Sequence, residues 1–215
     1  MNIDLIIFDL DGTLVNSIPD LTVSLNHVAS LNSKSIFNES EVTHLVGGGI
    51  SNLICKAFNI SNNDPKFDIY FNQFMNHHEQ SINTHSHLYK NTIEILEYFK
   101  TKKLAVLSNK INHLTKQVVV DFKIDSYFTL VLGATNGLAK KPSAEPILYI
   151  LNKLNIQPSK AIMVGDSEPD IICAKNAGIK TIALTCGYRS KSQLEPLNPD
   201  YFINDLIELK SIIQI

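Results

Sequence analysis

Two carboxylates, Asp9 and Asp11, stand two positions apart directly after the apolar run Leu5-Ile-Ile-Phe8, and Gly12 and Thr13 follow them. An acidic pair carried out of a buried strand needs something to offset its charge. A divalent cation together with a phosphoryl group supplies the reason, since carboxylate oxygens ligate Mg2+ and one carboxylate can attack phosphorus. An Asp-x-Asp pair alone also fits a solvated turn, because short motifs match by accident. Three further clusters bear on the choice: Ser108-Asn109-Lys110, Lys140-Lys141-Pro142, and Gly165-Asp166 with Asp170. The first and last stand at the ends of apolar runs, the middle one in a loop before a helical pattern.

The elements that must position these groups follow from periodicity. Leu5–Phe8 is too short for a helix and rich enough in β-formers to be a strand buried on both faces. Similar runs predict strands at Leu104–Leu107, 127–132, Ala161–Val164, Thr181–Leu184 and Tyr201–Ile203. Between them, helical spacing predicts a helix capped by Asn91 and closed by Lys102-Lys103, then helices over 112–122, 144–154 and 169–177, the last stopping at Gly178. Alternating strands and helices define an α/β fold, a three-layer Rossmann-like core of parallel sheet with helices on both faces. In such a sheet ligands gather outside the carboxyl ends of the strands. Asp9, Asp11, Ser108, Asn109, Asp166 and Asp170 are therefore expected to converge.

Residues 16–83 carry no strand pattern. Ser17, Pro19 and Asp20 read as a helix start, and Leu21, Leu25, Val28 and Leu31 continue it at helical spacing. Further helices are predicted at 39–46, 49–58 and 66–82. The core is thus expected to be discontinuous, 1–15 and 84–215, with an all-helical insertion at 16–83.

On these motifs the chain resembles the haloacid dehalogenase superfamily of phosphohydrolases, and within it the phosphoglycolate phosphatase branch. The family's four motifs occur in order as Asp9-Leu-Asp-Gly-Thr13, Ser108-Asn109-Lys110, Lys141-Pro142 and Gly165-Asp166-Ser-Glu-Pro-Asp170, with Val46-Gly-Gly-Gly49 and Cys186-Gly-Tyr188 as further likenesses. Asn16 and Ala144 depart from the family's commoner Asp and Pro, and Ser108 from its commoner Thr.

The resemblance implies that Asp9 is the nucleophile and Asp11 the acid and base. It implies Mg2+ on the Asp9 carboxylate, the Asp11 carbonyl and Asp166. Asp170 would support the site from behind or ligate directly. Ser108 and the amides of Gly12 and Asn109 would hold phosphate oxygens, and Lys141, rather than its neighbour Lys140, would balance charge. The insertion resembles the family's helical cap, which closes over the substrate. Thr13 either bonds its own turn or supports the site. Gly47, Gly48 and Gly49 either present amides to an anion at a helix start or form a plain turn. Lys110 reads first as a surface charge at a helix start, and its place beside Ser108 keeps it as a minor candidate at the site. No ligand spacing recommends His77, His78, His85 and His87 as a metal site.

The 215 residues, 44% hydrophobic and 19% charged with a formal net charge of −2, read as one or two globular domains. Nothing basic recommends nucleic acid, and no apolar stretch is long enough for a membrane span. Asp4, Asp9 and Asp11 break up the only candidate leader, and three scattered cysteines give no disulfide framework, so a cytoplasmic monomer or homodimer is expected. The expected activity is hydrolysis of a small phosphorylated metabolite, with 2-phosphoglycolate foremost. Inorganic pyrophosphate hydrolysis, phosphosugar transfer and a catalytically silent binding protein are the alternatives.

Overall fold

The computed structural model describes residues 1–135 and 137–215. The chain runs β1 (Leu5–Phe8), β2 (Val15–Asn16), α1 (Ile18–Leu31), α2 (Glu39–Leu45), α3 (Ile50–Phe58), α4 (Phe67–Ser81), β3 (His87–Leu88), α5 (Thr92–Tyr98), β4 (Lys103–Ile111), α6 (Asn112–Asp121), β5 (Leu130–Ala134), α7 (Glu145–Leu154), β6 (Ala161–Gly165), α8 (Glu168–Asn176), β7 (Lys180–Leu184), α9 (Lys191–Leu194), β8 (Tyr201–Ile203) and α10 (Leu209–Ile212). It separates into two compact units, Met1–Val15 with Leu88–Ile215, and Asn16–His87. A two-stranded ribbon, β2 with β3, stands where the chain passes from one to the other and back.

The first unit is built on a six-stranded parallel sheet in the order β5-β4-β1-β6-β7-β8. Counted within this unit alone, that is the doubly wound order 3-2-1-4-5-6, whose direction reverses between β1 and β6. Leu5, Ile6, Ile7 and Phe8 of β1 are all fully buried, as a central strand covered on both faces requires. Side chains alternate across a strand. Leu5 and Ile7 accordingly join Ala105, Met163, Ile147 and Ile150 of α7, and Ala174 of α8, in one apolar layer. Burying each such side chain contributes on the order of 1.5–3 kcal/mol, which fixes the strand ends on which the polar residues sit.

Three local expectations are corrected here. β5 begins at Leu130 because Asp125–Tyr127 wind into a 3-10 turn. β4 continues through Ser108 to Ile111, and its register with β5 shifts between Leu107 and Ile111. Asn91 stands at the N-cap of α5 with φ 63°, but its side chain makes no capping bond; its Nδ2 donates to Asp205 Oδ1 at 2.7 Å.

The second unit packs α1 against α4 and α2, and α3 against α4. Its core includes Leu25, Val28, Val42, Leu53, Ile54 and Phe74. Asn16 Oδ1, not Ser17, accepts from the first turn of α1, at Ile18 N. The unit extends beyond residue 83 because the amides of His85 and Ser86 donate to the Asp20 carboxylate at 2.9 and 3.0 Å, tying that stretch to α1. His77 stacks on His27 at 4.4 Å, and the Nδ1 atoms of His77 and His78 each lie 3.2 Å from Ser24 Oγ, so two of these histidines pack α4 on α1. Among the described residues no helix is long and apolar enough to cross a membrane.

Candidate active site

The point of strand reversal is where the acids meet. Asp9 leaves β1 with its amide donating to Val164 O of β6 at 2.9 Å, one step before Gly165 and Asp166. α8 then brings Asp170 back to the same place. Oxygens of Asp9, Asp166 and Asp170 lie within 4.8 Å of one another, and all three residues are buried.

One cation faces them. Lys141 Nζ lies 2.7 Å from Asp9 Oδ1, 2.6 Å from Asp170 Oδ1 and 2.9 Å from Leu107 O, which uses all three of its N–H donors. The side chain of Asn109 sets the lysine's backbone: Nδ2 donates to Lys141 O at 2.9 Å while Lys141 N donates to Asn109 Oδ1 at 3.0 Å. Sequence reading considered only the Asn109 amide and missed this clamp, which depends on a loop meeting a strand 32 residues away.

Each carboxylate is held differently. Asp9 Oδ1 also accepts from Leu10 N at 2.7 Å. Asp166 accepts from Thr13 Oγ1 on Oδ1 at 3.0 Å and from Tyr188 N on Oδ2 at 2.8 Å, so the Thr13 hydroxyl reaches across to Asp166. Asp170 Oδ2 takes both Ser167 N, at 3.0 Å, and Ser167 Oγ, at 2.6 Å, in a capping box at the start of α8. A carboxylate offers about four acceptor sites. Three are taken at Asp170, against two each at Asp9 and Asp166.

Three glycines make room for this cluster by carrying no side chain. A Cβ on Gly12 (φ +89°) would come within 2.3 Å of Asp166 Oδ2, one on Gly165 within 2.4 Å of Asp170 Cβ, and one on Gly187 within 2.3 Å of Asp166 Cβ. The Gly12 amide, expected to face a phosphate, donates to Val15 O at 2.8 Å inside the turn.

Electrostatics reflect the crowding. Burial, then the neighbouring Asp170 carboxylate, raises Asp9 well above the usual carboxylate range against the pull of Lys141. Burial and Asp170 likewise push Asp166 up to about 7, opposed by the Tyr188 amide and the Thr13 hydroxyl. For Lys141 burial works downward, but Asp170 and Asp9 outweigh it and hold the ammonium above its ordinary range. Three carboxyls face one ammonium, so ionising all of them leaves an excess of negative charge, and an all-oxygen donor set of this kind suits a hard divalent cation.

Ser108 and Lys110 arrive on β4, the neighbour of β1. Ser108 Oγ accepts from Lys110 N at 3.1 Å. Lys110 is not a surface charge: it is 8% exposed, and its Nζ lies 2.6 Å from Asp11 Oδ1. The misreading has a physical cause, since β4 runs further than its apolar stretch and carries Lys110 inward. In the second unit Gly47, Gly48 and Gly49 all take positive φ, and α3 starts directly after them at Ile50.

A parallel sheet whose strand order reverses beside an Asp-x-Asp turn, with a lysine and a second acidic pair closing on it, defines a class of hydrolase. Residues 6–184 match the model of the haloacid dehalogenase-like hydrolases, and the chain belongs to that family. Within it, this chain is 34% identical to phosphoglycolate phosphatase of Haemophilus influenzae over 97% of both chains, and 32% identical to that of Vibrio parahaemolyticus over 100% of this chain and 97% of the other. The crystal structure of a predicted phosphoglycolate phosphatase from Haemophilus somnus 129PT superposes with a TM-score of 0.90 at 31% identity, covering 99% of this chain and 98% of that one.

Proposed function

We propose that this protein is a Mg2+-dependent phosphomonoesterase that works through a phosphorylated Asp9, with 2-phosphoglycolate as the foremost substrate. The observation that carries the reading is the placement of Asp9 against Lys141 and beside Asp166 at the reversal point of the sheet. Asp9 attacks phosphorus, the bond from phosphorus to the ester oxygen breaks, and that oxygen takes a proton from Asp11. Water then attacks the phosphoryl group, gives a proton to Asp11, and leaves Asp9 free with inorganic phosphate.

Asp9 and Asp166 retain the acceptor capacity to hold the cation together with the Asp11 carbonyl, while Asp170 is occupied with Lys141 and Ser167 and serves as support. When bound, Mg2+ neutralises charge on the phosphoryl oxygens. Lys141, with every donor committed, acts on the phosphoryl group through its charge. The Ser108 hydroxyl accepts from Lys110 N and donates outward to a phosphate oxygen. Gly47, Gly48 and Gly49 are assigned to an anionic group of the substrate, on the support of a glycine turn opening α3. The free thiols Cys55, Cys173 and Cys186 support a cytoplasmic setting.

The test is phosphate release from a panel of 2-phosphoglycolate, sugar phosphates and pyrophosphate, with and without EDTA. Wild-type protein is expected to favour a monoester and to stop in EDTA, and Asp9→Asn to release nothing. A preference for pyrophosphate would replace the monoester assignment, and no release from any substrate would make the protein a silent relative.

A further inference from the structure

We propose that Lys110 is a positioning residue for the Asp11 carboxyl; the inference rests on the phosphomonoesterase reading. A buried lysine loses hydration and rotamer freedom, so its place needs a reason. Here the ammonium meets Asp11 Oδ1 at 2.6 Å, with the two side chains 5% and 21% exposed.

The backbone beneath it is fixed from three directions. Lys110 N donates to Ser108 Oγ at 3.1 Å, and Thr115 Oγ1 of α6 donates to Lys110 O at 3.1 Å. Gly133 of β5 packs so closely that a Cβ there would come within 2.7 Å of Lys110 O. The register shift of β4 against β5 between Leu107 and Ile111 brackets this residue, and such irregularities re-aim side chains beside active sites.

An anchor on Oδ1 fixes the plane of the Asp11 carboxyl, and with it the direction from which Asp11 gives up its proton. Proton transfer needs the other carboxyl oxygen, the one that bears the proton, within hydrogen-bond reach of the departing one, and misplacement by about 1 Å can cost on the order of a hundredfold. Lys110 therefore acts on one step, bond breaking between phosphorus and an ester oxygen that must leave protonated. It contributes little where the leaving group departs as a stable anion.

The experiment compares kcat/KM, which covers steps only up to departure of the leaving group. The substrates are 2-phosphoglycolate, whose alkyl oxygen needs a proton, and 4-nitrophenyl phosphate and acetyl phosphate, whose leaving groups do not. In Lys110→Met the value for 2-phosphoglycolate is expected to fall about tenfold or more, toward the roughly hundredfold cost of a misplaced catalytic group, and to fall far less for the other two. Lys110→Arg is expected to recover part of the difference. An equal loss on all three substrates, an unchanged 2-phosphoglycolate value, or a rise in KM alone would overturn the inference while leaving the hydrolase reading intact. A wild-type protein inactive on every ester would overturn both. Should Lys110→Met not fold, Lys110→Gln carries the same comparison.

Discussion

At the scale of single residues, the cluster of acids makes proton uptake and folding one problem. The carboxyl of Asp166, pushed to about 7 from an ordinary 3.8, keeps a proton in the folded chain that the unfolded chain releases. Its contribution to stability is complete below about pH 4 and is lost as pH rises through about 7. Asp9 is displaced in the same direction. Calorimetry in EDTA should therefore show a melting temperature that declines between pH 5 and pH 8, and Asp166→Asn should flatten that decline. A profile as steep in the variant as in the wild type would remove Asp166 as the cause. The acids themselves were legible in the sequence because each follows an apolar strand. Lys110 and the side chain of Asn109 were not, because their partners lie 99 and 32 residues away and only the tertiary fold brings them together.

At the scale of elements, three strand ends close on the carboxylates, each with a glycine at the point of nearest approach. Gly187→Ala would drive its methyl into both Asp166 and Gly12 O, each 2.3 Å away, whereas nothing lies within 4 Å of a Cβ at Gly137. Overpacking of this kind costs about 1–3 kcal/mol. Denaturant unfolding should register that loss for Gly187→Ala, together with lost phosphatase activity, and no change for Gly137→Ala. Strand and helix positions followed from hydrophobic period almost throughout, as at Leu5–Phe8 and Tyr201–Ile203. Failures fell where polar residues decide the path. Asp20 holds the 85–86 amides and extends the helical unit, and Asn91 turns to Asp205 instead of capping.

At the scale of the whole molecule, every acid of the proposed cation site belongs to the unit built on the sheet, and none to the helical one. A cation present at about 100 times its Kd adds about 2.7 kcal/mol to stability. For a chain of this size that corresponds to a rise of about 5–10 °C in melting temperature. Scanning fluorimetry with Mg2+ at pH 8 should find it, and hydrogen exchange should place the added protection at the ends of β1 and β6 rather than in α1 to α4. Protection confined to α1–α4 would move the site elsewhere. The helical pattern over 16–83 and the alternation of strands and helices after it were legible in the sequence, while the doubly wound strand order became visible only once β6 was seen beside β1. Lys141 has a last implication for traffic through the pocket. An amine whose three protons are already spoken for has none with which to grip a departing guest. If Asp9 carries the phosphoryl group as proposed, the orthophosphate it releases has no lysine bond to sever on its way out.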